Sequence, residues 1–261
     1  MVASAYNERL GFRVGDKGTQ TSRTIMLTEL SSLLESCAPD CSRDAYVTAA
    51  LEDNVLGKQT AATRKLTLQR LSELYALRDS EPLFRVLRHL WFRDSEGRPL
   101  MALLCALARD PLLRATARPI LEMRAGEELS RQAMTDAVRD HVGGRLNDST
   151  SDKVVRNASS SWSQGGHLEG RVRKFRRLVR PSPAALTYAL ILGYLQGRRG
   201  AQLFDSEWTR ILDAGQSDLR SLAMEAKRLG YLDLKVAADV IEVTFPNLLT
   251  NRELIESRVP N

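Results

Sequence analysis

The stretch Asp148–Arg180, DSTSDKVVRNASSSWSQGGHLEGRVRKFRRLVR, decides how the rest of the chain is read. Ser149-x-x-Asp152 opens it as a helix start: a side-chain oxygen takes up orphan amides, and an acid sits against the positive end of the dipole. At about 100° per residue, Val154, Val155, Ala158 and Trp162 fall on one side of that helix. Ser149, Lys153, Arg156, Asn157 and Ser160 fall on the other. Gly165-Gly166 stops the helix, since glycine accepts the left-handed turn that ends helices. Six cations in ten residues follow: Arg171, Arg173, Lys174, Arg176, Arg177 and Arg180. A helix anchored on one side, donor-bearing on the other and trailed by a basic ribbon is how a winged helix meets a nucleic-acid backbone. The plainer alternative is a solvated helix with a basic tail.

Upstream, a helix expected from Gly126 to Val142 leads through Gly143-Gly144 into this stretch, making a helix-turn-helix whose second helix spans Ser149–Ser163. An earlier unit has the same outline. Ile25, Leu27, Leu30, Leu33 and Leu34 recur at helical spacing, Ser42 caps a short second helix, and a third begins near Thr60. In that third helix Ala61, Leu68, Leu71 and Tyr75 share a stripe, with Arg64 on the apolar side, where an ion pair would hold it. Its basic surface is thin: Lys58, Lys65 and Arg70. Ser80–Met123 reads as scaffold, three helices started by Pro82, Pro99 and Asp110-Pro111, with Phe84, Trp91 and Phe92 as core aromatics. His89 and His141 stand alone and read as structural.

After Pro181 and Pro183 come helices at Ala184–Gln196, Ser206–Asp213 and Ser217–Leu229. The period then changes to two: Leu232, Leu234 and Val236 alternate, Ala237-Ala238-Asp239 turns, and Ile241, Val243 and Phe245 alternate again. That is a β-hairpin behind a helix, a second winged-helix-like outline. Its helix mixes Asp218, Arg220, Glu225, Lys227 and Arg228, a pattern for protein contact or packing more than for phosphate. The fold expected is therefore mainly α, with helix-turn-helix and winged-helix-like units and a small C-terminal hairpin. The expected division is a basic, loosely held arm over residues 1–22, a helical domain over 23–125, a second domain over 126–250 and a polar tail over 251–261.

Composition narrows the function classes. A chain of 261 residues with 43 % hydrophobic and 27 % charged residues can bury a proper core. Its net charge of +6 matters because it is clustered, and it suits a polyanion. The N-terminus lacks an apolar signal region, and Ala184–Leu195 falls short of the roughly 20 residues needed to cross a bilayer, so a cytoplasmic protein with no membrane partner is expected. Cys37, Cys41 and Cys105 indicate a reducing compartment, and no histidine completes a zinc set beside Cys37-x3-Cys41. No glycine-rich phosphate loop and no nucleophile–base set occurs, so neither a cofactor, a metal nor a catalytic residue is expected.

The run Ala50–Leu74 (ALEDNVLGKQTAATRKLTLQRLSEL), then Ser149–Gly170 and Arg173–Pro183, resembles the BrxA family of bacterial BREX phage-exclusion systems. Phe204-Asp205-Ser206-x-Trp208, Tyr231-Leu232 and Phe245-Pro246-Asn247 continue the resemblance, which covers roughly Thr24–Asn247. It implies a non-enzymatic, mainly helical DNA-binding accessory protein working beside other BREX proteins, with RNA open as a ligand. Matching positions are Lys58, Thr60, Thr63 and Arg64 in the first unit and Ser149, Thr150, Lys153 and Arg156 in the second. With Asn157, Arg171, Arg173, Lys174, Arg176, Arg177 and Arg180 these form the expected interface to double-stranded DNA. A protein-interaction scaffold and a transcriptional regulator are the alternatives.

Overall fold

Capping side chains set where the helices begin. Ser42 Oγ accepts from the Ala45 amide, Thr60 Oγ1 from Thr63 and Asn147 Oδ1 from Thr150. Ser182 and Ser206 do the same for Ala185 and Thr209. The structure, a computed structural model, describes Glu8 and residues 10–237 and 240–257. It is 56 % helical. In chain order the helices are α1 (Leu27–Glu35), α2 (Arg43–Leu51), α3 (Ala61–Tyr75), α4 (Pro82–Trp91), α5 (Arg98–Arg109), α6 (Pro111–Ala115) and α7 (Ala117–Leu121). Then come α8 (Arg131–Val142), α9 (Asp148–Gln164), the hairpin β1 (Leu168–Glu169) and β2 (Phe175–Arg176), and α10 (Pro183–Leu195). The chain continues with α11 (Glu207–Arg210), α12 (Gln216–Arg228), the hairpin β3 (Asp233–Ala237) and β4 (Val240–Thr244), and α13 (Asn251–Glu256). Both hairpins are antiparallel.

Two helices are buried on every side and the others are arranged on them. α10 is buried without a break from Ala184 to Leu195, and α5 from Leu100 onward. A helix apolar all round belongs in the middle of a protein. Tyr188, on α10, donates from its hydroxyl to the Leu83 carbonyl of α4 at 3.0 Å. The buried apolar cluster runs from Leu10 to Leu249. Trp162, on the apolar side of its helix, and Trp208 are 0 % and 2 % exposed.

Several expected boundaries move, each for a stated reason. The helix expected from Gly126 starts at Arg131, because the preceding amides are used by the hairpin: Gly126 N donates to Arg176 O and Leu129 N to Lys174 O, both at 2.8 Å. α9 starts at Asp148 on an Asn147 cap, one residue before the expected Ser149. The third scaffold helix breaks at Thr116 into α6 and α7. Ala61 is exposed, off the buried stripe of α3. The chain stays packed beyond the hairpin: Leu248 and Leu249 are buried, and in the polar tail both Oε atoms of Glu253 on α13 accept from Arg85 at 2.6 Å. Ala238 and Asp239 of the expected hairpin turn lie outside the described residues.

The largest correction concerns the arm. Leu10 and Phe12 are buried, and the Phe12 ring lies 5.9 Å from that of Trp208. The buried Asp110 carboxylate holds the segment further on: Oδ2 accepts from Thr19 N at 2.6 Å and Gln20 N at 3.2 Å, while Oδ1 caps α6 through Leu112 N and Leu113 N. Gly18 makes this approach feasible, since a Cβ there would lie 2.1 Å from Asp110 Oδ1. Thr19 and Gln20 are thus fixed by a partner about ninety residues away, and Phe12 by one still more distant.

Candidate nucleic-acid interface

The pattern of α9 places its inward residues as expected: Val154, Val155, Ala158 and Trp162 are buried. Trp162 Nε1 donates to Thr116 Oγ1 at 2.9 Å, so its polar atom is satisfied inside. On the opposite face Ser149, Lys153 and Arg156 are exposed, and neither cation has a partner among the described residues. Thr150 is half-buried, its amide used in the helix cap. Asn157 is not free to read a base edge with all its donors: its Nδ2 gives a hydrogen bond to the Gln20 carbonyl at 2.7 Å.

The hairpin behind α9 is short because Gly170 turns it sharply, with φ +98°, where a Cβ would meet the Arg173 carbonyl at 2.1 Å. Leu168 pairs with Arg176 and Glu169 with Phe175, and Glu128 bridges to Phe175 on the outer side. Helix, helix and hairpin with a short flanking strand is the element order of a winged helix. Arg171 is exposed at the tip without a partner among the described residues, and Val172 beside it is 92 % exposed. Lys174 Nζ reaches back to α9, donating to Ser163 Oγ at 2.8 Å. Burial lowers the Lys174 pKa somewhat from its ordinary value.

The ribbon is not uniformly available. Arg173 is taken by Glu128, with its Nε 2.7 Å from Oε1. Arg176, expected on the interface, is 2 % exposed. Its guanidinium donates to the Ile120 carbonyl at 3.0 Å and pairs with the Asp213 carboxylate. Its alternating neighbours face outward while it faces in, since successive strand residues point to opposite sides. Asp213 also accepts from Val179 N at 3.1 Å, and His167 Nε2 lies 3.9 Å from it. Burial pushes the His167 pKa down to about 4, against the pull of Asp213 in the other direction. The Arg177 and Arg180 side chains are exposed and unpartnered among the described residues. Arg180 lines an open groove of about 640 Å³ whose other residues include Asp213, Asp218 and Glu225, so the groove beside it is walled by carboxylates.

The first-unit residues do different work from that expected. Lys58 Nζ pairs with Glu29 at 2.9 Å. Thr60 and Thr63 hydrogen-bond each other at the start of α3, at 2.8 Å between hydroxyls. Arg64, expected in an ion pair, donates instead to the carbonyls of Leu51 at 2.9 Å and Lys58 at 3.2 Å, closing the turn before α3. Among the described residues no hydrogen bond or ion pair joins this set to the cations of α9 and its hairpin. Glu128 and Asp213, which remove Arg173 and Arg176 from the ribbon, are 45 and 37 residues distant and carry no local signal. Comparison with protein-family models and with curated proteins returns no match.

Proposed function

We propose that the chain is a non-enzymatic DNA-binding protein that holds duplex DNA chiefly through phosphates, using α9 and the β1–β2 hairpin. The observation that carries this reading is the pair Lys153 and Arg156, exposed and, among the described residues, unpartnered on the outward stripe of a helix followed by a hairpin with Arg171 likewise unpartnered at its tip. An α-helix about 10–12 Å across fits the major groove, about 12 Å wide. Arg171 and the 92 %-exposed Val172 suit the adjoining backbone and minor groove, where cations and apolar wedges are used. With Asn157 engaged by Gln20, Lys153 and Arg156 are the groups left to meet base edges, so sequence preference is weak. The resemblance to BrxA proteins supports a place for this binding in a BREX phage-exclusion system, in the cytoplasm and beside other BREX proteins.

The test is fluorescence anisotropy with labelled duplex DNA, single-stranded DNA and RNA at low and physiological salt. Lys153→Glu, Arg156→Glu and Arg171→Glu together should weaken duplex binding about 100-fold, and each lost phosphate contact should reduce the log–log salt slope by roughly 0.9. Unchanged affinity and slope sink the proposal. A second reading, a protein-interaction scaffold, has one region in its favour: the exposed apolar residues Met224, Leu229, Val236 and Val240 of the α12–β3–β4 unit. Loss of partner association, with DNA affinity indifferent to the charge reversals, would select it.

A further inference from the structure

Resting on the DNA-binding reading, we infer that the segment Gly15–Leu27 is the second flank of the interface, placing Lys17 and Arg23 on the phosphate strand opposite the one met by the β1–β2 hairpin. The segment follows α9 along much of its length. Gly15 O accepts from or faces the His141 ring at 3.0 Å, and Asp16 pairs with Arg145 at 2.7 Å, just before the helix begins. Gln20 meets the middle of α9 through Asn157 at 2.7 Å and through Ser161 Oγ at 3.0 Å. Ile25 N donates to Ser161 Oγ at 3.0 Å, Gln164 Nε2 to Thr24 Oγ1 at 2.9 Å, and Leu27 N to Gln164 Oε1 at 3.0 Å.

Lys17 lies between the Asp16 and Gln20 anchors, so it borders the first half of α9; it is exposed and unpartnered among the described residues. Arg23 lies beside Thr24, which binds Gln164, so it borders the last turn; it is half-exposed and donates only to the Ser22 carbonyl, at 2.9 Å. The side of the helix on which they sit follows from geometry. Gln164, Asn157 and Ser161 take the segment and Ser163 takes Lys174 of the hairpin. At about 100° per residue the first three lie roughly 100–160° around the axis from Ser163, so segment and hairpin flank the helix on two different sides. Ser149, Lys153, Arg156 and Ser160 form the stripe between them. A helix seated in the major groove has one phosphate backbone on each side, and this helix carries a cationic flank toward each. The nearby carboxylates Asp16 and Asp152 are neutralised by Arg145 and Arg131, while Asp148 and Glu169, at the two ends, have no ion-pair partner among the described residues.

Hydroxyl-radical footprinting and anisotropy on a duplex, with the full chain, test this. Lys17→Ala with Arg23→Ala should weaken binding about tenfold, lower the salt slope by roughly 2, and remove protection from one strand; Arg171→Ala should remove it from the other strand. Both altered proteins should melt as the unaltered one does, since Lys17 and Arg171 are exposed and Arg23 is half-exposed, bonded to the adjacent Ser22 carbonyl. If Lys17 and Arg23 can be removed with slope and footprint unchanged while Lys153→Ala still weakens binding, the second flank is wrong and the DNA-binding reading stands. If the unaltered protein binds no duplex, both fall.

Discussion

The α8–α9–β1–β2 unit and the α11–α12–β3–β4 unit share an order of elements and differ in what they show to solvent. The first presents Lys153, Arg156 and Arg171. The second presents Asp218, Ser221, Met224 and Glu225 on α12, and near its hairpin turn Val236 and Val240, 61 % and 68 % exposed. A common backbone plan therefore carries a basic face in one unit and, in the other, a face that mixes acids and apolar residues with the exposed cations Arg220, Lys227 and Arg228. The lesson is that the element order licenses no function by itself; the side chains on the outward face do. The units are also tied together. Arg176 leaves the basic hairpin of the first to pair with Asp213, at the start of the loop into α12 of the second.

That tie gives the largest expected effect. Arg176→Ala leaves the Asp213 carboxylate without its ion-pair partner at 7 % side-chain exposure, and should cost about 3–5 kcal/mol in chemical denaturation. Trp162→Ala should fall in the same range, about 3–5 kcal/mol, from the lost core aromatic. Arg171→Ala, its neighbour in the ribbon, should change stability by less than about 0.5 kcal/mol. Equal effects of Arg176→Ala and Arg171→Ala would erase the distinction between the inner and outer cations.

Acid should attack the same junction next. The folded protein holds His167 at about 4, below its ordinary value of 6.5. The unfolded chain therefore binds the proton first on acidification, so the stabilising contribution is present above about pH 6.5 and is lost as pH falls toward 4. The loss is on the order of 3 kcal/mol. Denaturation midpoints across that range, compared with those of His167→Gln, should show the step in the unaltered protein alone.

Binding differences come third. Lys153→Ala or Arg156→Ala should each weaken duplex binding about tenfold, roughly 1.4 kcal/mol. Arg220→Ala on α12 should leave it unchanged, and an equal loss there would mean that both units touch DNA. The smallest effect is expected from Met224→Ser and Val236→Ser: stability within about 0.5 kcal/mol and unaltered DNA affinity. A fall in DNA affinity after either would place the apolar face inside the DNA interface.

Helix positions, the hairpin after Gly230 and the inward placement of Trp162 and Trp208 were legible in the sequence. They depend on local periodicity and on caps such as Ser42, Thr60 and Ser182, which act within a few residues. The outward stripe of α9 was legible for the same reason. The fate of each cation was not. Arg171, Arg173 and Arg176 stand within six residues, yet one is free, one is held by Glu128 and one is buried against Asp213. Nor could the glycine- and cation-rich segment before Ser22 announce its docking, which depends on Asp110 and on Asn157 and Ser161 of α9. The sequence by itself determined which residues form helices and which face of each is apolar, because neighbours in the chain impose those choices. Only the tertiary structure decided which charges remain for a partner, because a charge is tied or free according to carboxylates and carbonyls brought to it from dozens of residues away.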